Sequence, residues 1–146
     1  RPHAEEHAIE VQLPFLQSTL DHFTILPIAV GEADPAQVAA VLEALWGGPE
    51  TLIVISSDLS HYHPYRQAQF RDKATIAQIR QLDATLDGEQ ACGAGAINGL
   101  LLAARRHHLT PHLLDLRNSG DTAGDRSRVV GYASIAFSDD SNHAHH

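Results

Sequence analysis

Thr51-Leu52-Ile53-Val54-Ile55-Ser56-Ser57-Asp58-Leu59-Ser60-His61-Tyr62-His63-Pro64-Tyr65 begins with an apolar core and turns abruptly polar. Thr51 to Ser56 (TLIVIS) is apolar on both faces, the pattern of a central strand covered by helices on two sides. The polar loop Ser57 to Tyr65 then sits beyond the carboxyl end of that strand, where open α/β sheets hold their sites. Asp58 precedes His61 by three residues. A carboxylate so placed orients an imidazole and fixes its tautomer for acid–base work or metal binding. The competing reading is a solvated loop whose Ser and Asp residues close a turn. His63, directly before Pro64, reads as exposed.

Outward from this stretch, the periodicities give alternating elements. Upstream, Ile9, Leu13, Leu16 and Leu20 recur at helical spacing, so residues 5–20 read as an amphipathic helix bent at Pro14. Phe23 to Val30 (FTILPIAV) reads as a strand. Asp34-Pro35-Ala36-Gln37 combines an N-cap, a proline at the first helical position and a capping-box partner. The helix it opens buries Val38, Val41, Leu42 and Leu45 and stops at Gly47-Gly48-Pro49. Downstream, residues 66–83 read as a long helix with Phe70, Ala74, Ile76, Ala77, Ile79 and Leu82 on a broad apolar face. Ala94 to His108 is a second helix with Ile97, Leu100, Leu101 and Ala104 inward. Its last turn carries Arg105, Arg106, His107 and His108, suited to the negative end of the helix dipole. His112 to Leu116 and Val129 to Phe137 read as strands. The order predicts a layered α/β/α domain with a mixed sheet over residues 1–138, followed by a disordered tail, 139–146.

The totals narrow the function classes. A chain of 146 residues can bury one core. Its net charge is −8 and its longest cationic run is Arg105-Arg106; a nucleic-acid groove or an anionic membrane surface needs more cations than this. No apolar run approaches the roughly 20 residues that span a bilayer. One cysteine, Cys92, excludes an internal disulfide and makes a reducing cytoplasm the expected compartment. The chain contains no methionine and starts Arg1-Pro2-His3, which predicts a piece of a longer protein. Of eleven histidines, three fall in the last four residues and read as a tag-like end.

Three further stretches could carry chemistry. Cys92 falls at the start of the helix that opens near Ala94, where free N–H groups and the dipole favour a thiolate. Gly93 and Gly95 beside it leave room for a ligand, although a lone cysteine is more often a small buried apolar residue. His3 and His7 are one helical turn apart, but their order is not that of the zinc-protease helix. His7 with Glu10 is the better acid–base couple. Asn118 to Ser127 (NSGDTAGDRS) is a polar, glycine-containing loop without a Walker lysine. It reads as a connection in which Arg126 or Arg128 forms an ion pair.

Taken together, these blocks resemble one family. Glu6 to Leu16 resembles the EHxxExQLPFL stretch of the MEMO family, also called AmmeMemoRadiSam system protein B. Ser56 to Tyr62 is similar to its SSDxSHY loop and Cys92-Gly93 to its CG. Asn118-Ser119-Gly120-Asp121 through Val129-Val130-Gly131-Tyr132-Ala133-Ser134 is similar to its NSGD…VVGYAS ending. The resemblance implies the C-terminal portion of a single domain, related in fold to the class III, LigB-type extradiol dioxygenases. It also implies a pocket of histidines and one cysteine around non-haem iron or copper. His61 and Cys92 are the expected metal ligands, with Asp58 and His7 orienting them. The family's other pocket histidines lie in an N-terminal half that nothing here matches. The family name implies association with AMMECR1-like and radical-SAM proteins.

Three functions are expected in order. The first is a metal-dependent, dioxygenase-like redox protein using His61, Cys92, Asp58 and His7. The second is a non-catalytic module that binds a small molecule or peptide in the same pocket. The third is a cysteine hydrolase built from Cys92, His61 and Asp58, which requires a hydrogen bond between the sulfur and the imidazole.

Overall fold

The structure is a computed structural model that describes residues 34–48, 51–122 and 125–139, with isolated positions between 22 and 31. Helix α1, Pro35–Leu45, starts where the sequence says it should. The Asp34 carboxylate accepts the Gln37 N–H at 3.0 Å, and the Gln37 side chain accepts the Asp34 N–H at 3.2 Å. Such a cap contributes about 1 kcal/mol. After strand β1, His61–His63, come helix α2, Tyr65–Arg80, and helix α3, Ala94–Arg106. Strand β2, Thr110–Asn118, the short helix α4, Ser119–Thr122, and strand β3, Val129–Ser138, complete the order.

Both long helices end in the same way. Leu82 (φ 56°) and His108 (φ 53°) take the left-handed position that glycine usually fills. Asp83 N–H then reaches back to Gln78 O, and Leu109 N–H to Ala104 O, each at 2.9 Å. These bonds satisfy carbonyls that the helix end would leave without partners.

The sheet runs β1-β3-β2, and both pairings among the described strands are antiparallel. The β2–β3 register slips between Leu113 and Asp115. The extra residue resets the alternation, so Leu113 and Leu116 both turn to the core while Leu114 points out at 66% exposure. One face of this sheet packs on α2 and α3. Leu59, Ile76, Ile79, Leu86, Ala91, Ala94 and Leu101 form the core, with Leu116, Ala133, Ile135 and Phe137 against it. Leu101 is completely enclosed, and truncating such a leucine costs about 2–5 kcal/mol.

Helix α1 packs on α3 rather than on the sheet. The two approach closely at Gly99, where any Cβ would overlap the Val38 side chain. The pair closes at its other end with His107, which contacts both Glu43 carboxylate oxygens at 3.0 and 3.1 Å and stacks on Trp46 with ring centroids 4.0 Å apart.

The α/β class, α1, the two long helices and strands β2 and β3 agree with the sequence reading. The expected strand Thr51–Ser56 does not form: residues 51–60 contain no strand, and Leu52 and Val54 are exposed. A central strand exists only by pairing on both edges, and among the described residues this run has no partner strand. Thr24, Leu26, Ile28 and Val30 are described and none lies in a strand. Val41, Leu45 and Phe70, expected in the core, are exposed, because α1 meets one helix only and α2 turns Ile76 and Ile79 inward instead. The predicted helix over 5–20 with His3 and His7, the second helical layer and the tail beyond Asp139 lie outside the described residues. No helix among the described residues is long and apolar enough to cross a membrane.

Candidate functional site

The loop that carries Asp58 and His61 is fastened to the core on both sides. Leu59 N–H donates to Gly131 O at 2.9 Å and Gly131 N–H donates to Ser60 O at 3.0 Å, tying the loop to β3. Ser60 N–H donates to the Asp72 carboxylate of α2 at 3.1 Å, and both residues are buried. The carboxylate rests flat against Gly131, where any Cβ would displace it. Leu59 inserts into the core cluster. The sequence between Ser57 and His61 thus has its backbone held at consecutive residues, while its outward side chains are left for other contacts.

A second anchor brings in Cys92. Gly93 N–H donates to Ser57 Oγ at 2.8 Å, and a Cβ on Gly93 would lie 2.8 Å from Ser57 Cβ. The glycine therefore makes room for Ser57 rather than for a ligand, as its position beside Cys92 had suggested. The approach places Cys92 Sγ 3.4 Å from Asp58 N, which donates to it, and 3.6 Å from Ser57 Oγ. An N–H directed at sulfur holds the thiol side chain in one orientation.

The result joins three residues singled out from the sequence. One donor atom each of Asp58, His61 and Cys92 lies within 4.8 Å of the others. Two donors on one tetrahedral ion would be about 3.3–3.7 Å apart, so side-chain rotation of about an ångström brings the group onto a single metal. His61 Nε2 lies 3.5 Å from the Asp58 carboxylate. That nitrogen is buried and accepts or donates no hydrogen bond among the described residues. The donor set, one imidazole, one thiol and one carboxylate, fits a transition metal such as iron or copper. The hydrogen bond that a cysteine hydrolase needs is not made: Sγ engages Asp58 N and Ser57 Oγ, and His61 Nε2 faces the Asp58 carboxylate. His7 lies outside the described residues.

Tyr62 follows His61 at φ 64°, a conformation rare for a bulky residue. Holding it there costs on the order of 1–3 kcal/mol, a strain characteristic of functional segments. Its ring is 5.5 Å from that of His61, and the Arg128 guanidinium lies 4.9 Å over it. Arg126 stacks in the same way on Tyr65, at 4.5 Å. The Tyr65 hydroxyl donates to the Asp121 carboxylate, which also accepts the Asn118 N–H at 2.9 Å. The tyrosine bond holds the Asp121 carboxyl below its ordinary range and, in return, pushes the Tyr65 hydroxyl above its own. The expected ion pairs of Arg126 or Arg128 are replaced by these stacks. The Ser119–Thr122 turn packs on β2 and β3, and Asp121 ties it to Tyr65 at the start of α2.

Ser57, Ser60, Asp72 and Gly131 support the site. Ser57 and Ser60 lie within the SSDxSHY-like loop and Gly131 within the VVGYAS-like block, but none of them reads from the sequence as having a role of its own. Asp72 offered one signal, an acidic residue on the inward side of an apolar helix face.

Comparison with known proteins bears on the family. A family model described as Memo-like protein matches residues 1–136. A MEMO1 family protein of Metallosphaera sedula is 35% identical over 152 residues, covering 95% of this chain and 54% of that protein. One from Sulfolobus acidocaldarius is 36% identical over 152 residues with the same coverage. One from Methanosarcina barkeri is 38% identical over 147 residues, or 91% of this chain and 56% of that protein. The chain spans about half the length of the curated relatives it matches. A match over residues 1–136 leaves a single assignment: the chain belongs to the Memo-like family.

Proposed function

We propose that the chain supplies one wall of a metal-dependent redox pocket of the dioxygenase-like kind, with His61 and Cys92 as ligands for iron or copper. The observation that carries this reading is the convergence of Asp58, His61 and Cys92 donor atoms from two segments 34 residues apart. Bound iron or copper supplies redox chemistry and open positions for small ligands. The chain's own residues do the positioning. Asp58 uses its backbone N–H to orient Cys92 and its carboxylate to face His61 Nε2, so one residue steers both ligands. Ser57 holds the Cys92 turn against the loop through Gly93. The remaining ligands come from outside the described residues, with His7 a candidate among them. A thiol where extradiol dioxygenases use a carboxylate softens the site and favours copper or electron transfer over oxygen insertion.

Metal content of the full-length protein, measured by mass spectrometry beside His61→Ala and Cys92→Ala, tests this. Both variants lose most of the bound metal if the reading holds. Unchanged metal in both removes these residues from any ligand role. Ligand binding to metal-free protein without oxygen uptake would instead favour a binding module without turnover.

A further inference from the structure

We propose that Arg128, stacked on Tyr62, is an anion-recognition arm on the rim of this site, taking the carboxylate or phosphate of a small organic substrate. The proposal rests on the metal-dependent reading above for its substrate, but not for its binding chemistry.

Three observations converge on this pair. Tyr62 lies between His61 and His63 in β1, held at a positive φ with its ring 61% exposed. A bulky residue keeps that conformation only when its surroundings impose it, and here the outcome is a ring face presented next to the His61 imidazole. The β1–β3 register sets His63 against Val129, which brings the preceding residue, Arg128, alongside. Its guanidinium lies over the Tyr62 ring. A guanidinium held over a ring by its charge still has N–H groups to offer a carboxylate or phosphate in a planar, two-point contact.

The third observation is electrostatic. The chain has 18 acidic residues against 10 Lys and Arg, yet among the described residues Arg117 is the one arginine in an ion pair. Arg117 pairs with Asp115 at 2.9 Å and His107 pairs with Glu43. Among the described residues, Arg128 forms no ion pair. Its nearest acid in sequence, Asp125, is turned onto Ser127, accepting from the backbone N–H at 2.8 Å and the hydroxyl at 2.6 Å. Arg128 acts on Asp125 through space as Arg126 acts on Asp121, in both cases without an ion pair. What sets Arg128 apart is its place, over the ring of the residue that directly follows His61. A substrate anion seated on it would place the rest of a small molecule at the Asp58–His61–Cys92 group.

Calorimetric titration of the full-length, metal-loaded protein with benzoate, phenyl phosphate and neutral benzamide tests the arm. The anions bind at least tenfold more tightly than benzamide, and Arg128→Gln removes that discrimination while leaving metal content unchanged. Arg128→Lys keeps part of it, and Tyr62→Phe, which preserves the ring, keeps nearly all. Whichever anion binds more tightly identifies the headgroup. Repeating the titration after chelation separates the two readings: Arg128-dependent binding that survives metal removal supports the arm even if the metal reading fails. The proposal is overturned if benzamide matches benzoate, if neither anion binds the wild-type protein, or if Arg128→Gln binds the anions as the wild type does.

Discussion

Gly131→Ala should destabilise the protein far more than a single methyl suggests, because its target is a buried carboxylate. A Cβ built there falls on Asp72 Oδ2, 2.7 Å from Cγ and 3.0 Å from Oδ1, and the three nearest atoms all belong to Asp72. Asp72 is 2% exposed and its Oδ1 holds Ser60 N–H, so it has no free direction in which to yield. Overpacking of this kind costs about 1–3 kcal/mol. Losing a buried hydrogen bond to a carboxylate adds about 1.5–3 kcal/mol. The sum is about 2.5–6 kcal/mol. Asp72→Ala alone loses the hydrogen bond and strands Ser60 N–H, at about 2–4 kcal/mol. In that background the alanine at 131 fills the vacated space, so its further cost should fall below about 1 kcal/mol. The two substitutions are therefore coupled by about 2–5 kcal/mol. Urea unfolding of the four proteins, followed by far-ultraviolet circular dichroism at constant slope, measures it. Strict additivity, or a Gly131→Ala penalty under about 1 kcal/mol, would refute the wedge between α2 and β3.

Two further outcomes follow from bonds seen only in the structure. Asn98 is buried on α3 and clamps residue 86 from both sides, accepting Leu86 N–H at 3.0 Å and donating to Leu86 O at 2.9 Å. Asn98→Ala leaves both backbone groups without partners and should cost about 2–5 kcal/mol, with faster hydrogen exchange at the Leu86 amide; an unchanged exchange rate would contradict the clamp. Tyr65→Phe tests the Asp121 bond through pH. The Asp121 carboxyl is depressed below its ordinary 3.8 by the tyrosine hydroxyl, so its contribution is complete above that pH and lost as pH falls through the depressed value. Tyr65 is raised above 10.0, so its contribution is complete below that pH and lost as pH rises through the raised value. The stability gap between wild type and variant should be flat around neutrality and narrow at both extremes, and a gap independent of pH would show that the bond contributes nothing.

Legibility in the sequence followed how local the cause was. The Asp34–Gln37 capping box involves four consecutive residues and was readable without any tertiary information. Helices α2 and α3 were legible for the same reason, since 3.6-residue periodicity is recorded in neighbours. Thr51–Ser56 was misread because an apolar run specifies burial, not pairing, and a strand depends on what lies at its edges. Asp58, His61 and Cys92 were each legible as residue types in suggestive places. Their meeting was not, because it depends on Ser57 reaching Gly93 across 36 positions. Arg126 and Arg128 were read as ion-pair formers, since composition favours acidic partners; the β1–β3 register put tyrosines there instead.

The division of labour in the site argues for ligand binding more strongly than any one residue does. The backbone from Asp58 to Ser60 is held at successive groups: sulfur for Asp58 N, Ser57 Oγ for Asp58 O, β3 for Leu59 N and Ser60 O, α2 for Ser60 N. The Asp58 carboxylate faces His61 Nε2 at 3.5 Å, and that nitrogen is buried and without a hydrogen bond among the described residues. A loop that existed only to close a turn would spend its polar side chains on its own backbone. Here most of the anchoring falls to Ser57, Asp72, Gly93 and Gly131, which contribute no donor to the group, while His61 Nε2 makes no hydrogen bond among the described residues. On the proposed metal reading, a loop ordered in this way meets the cost of orienting its ligands during folding.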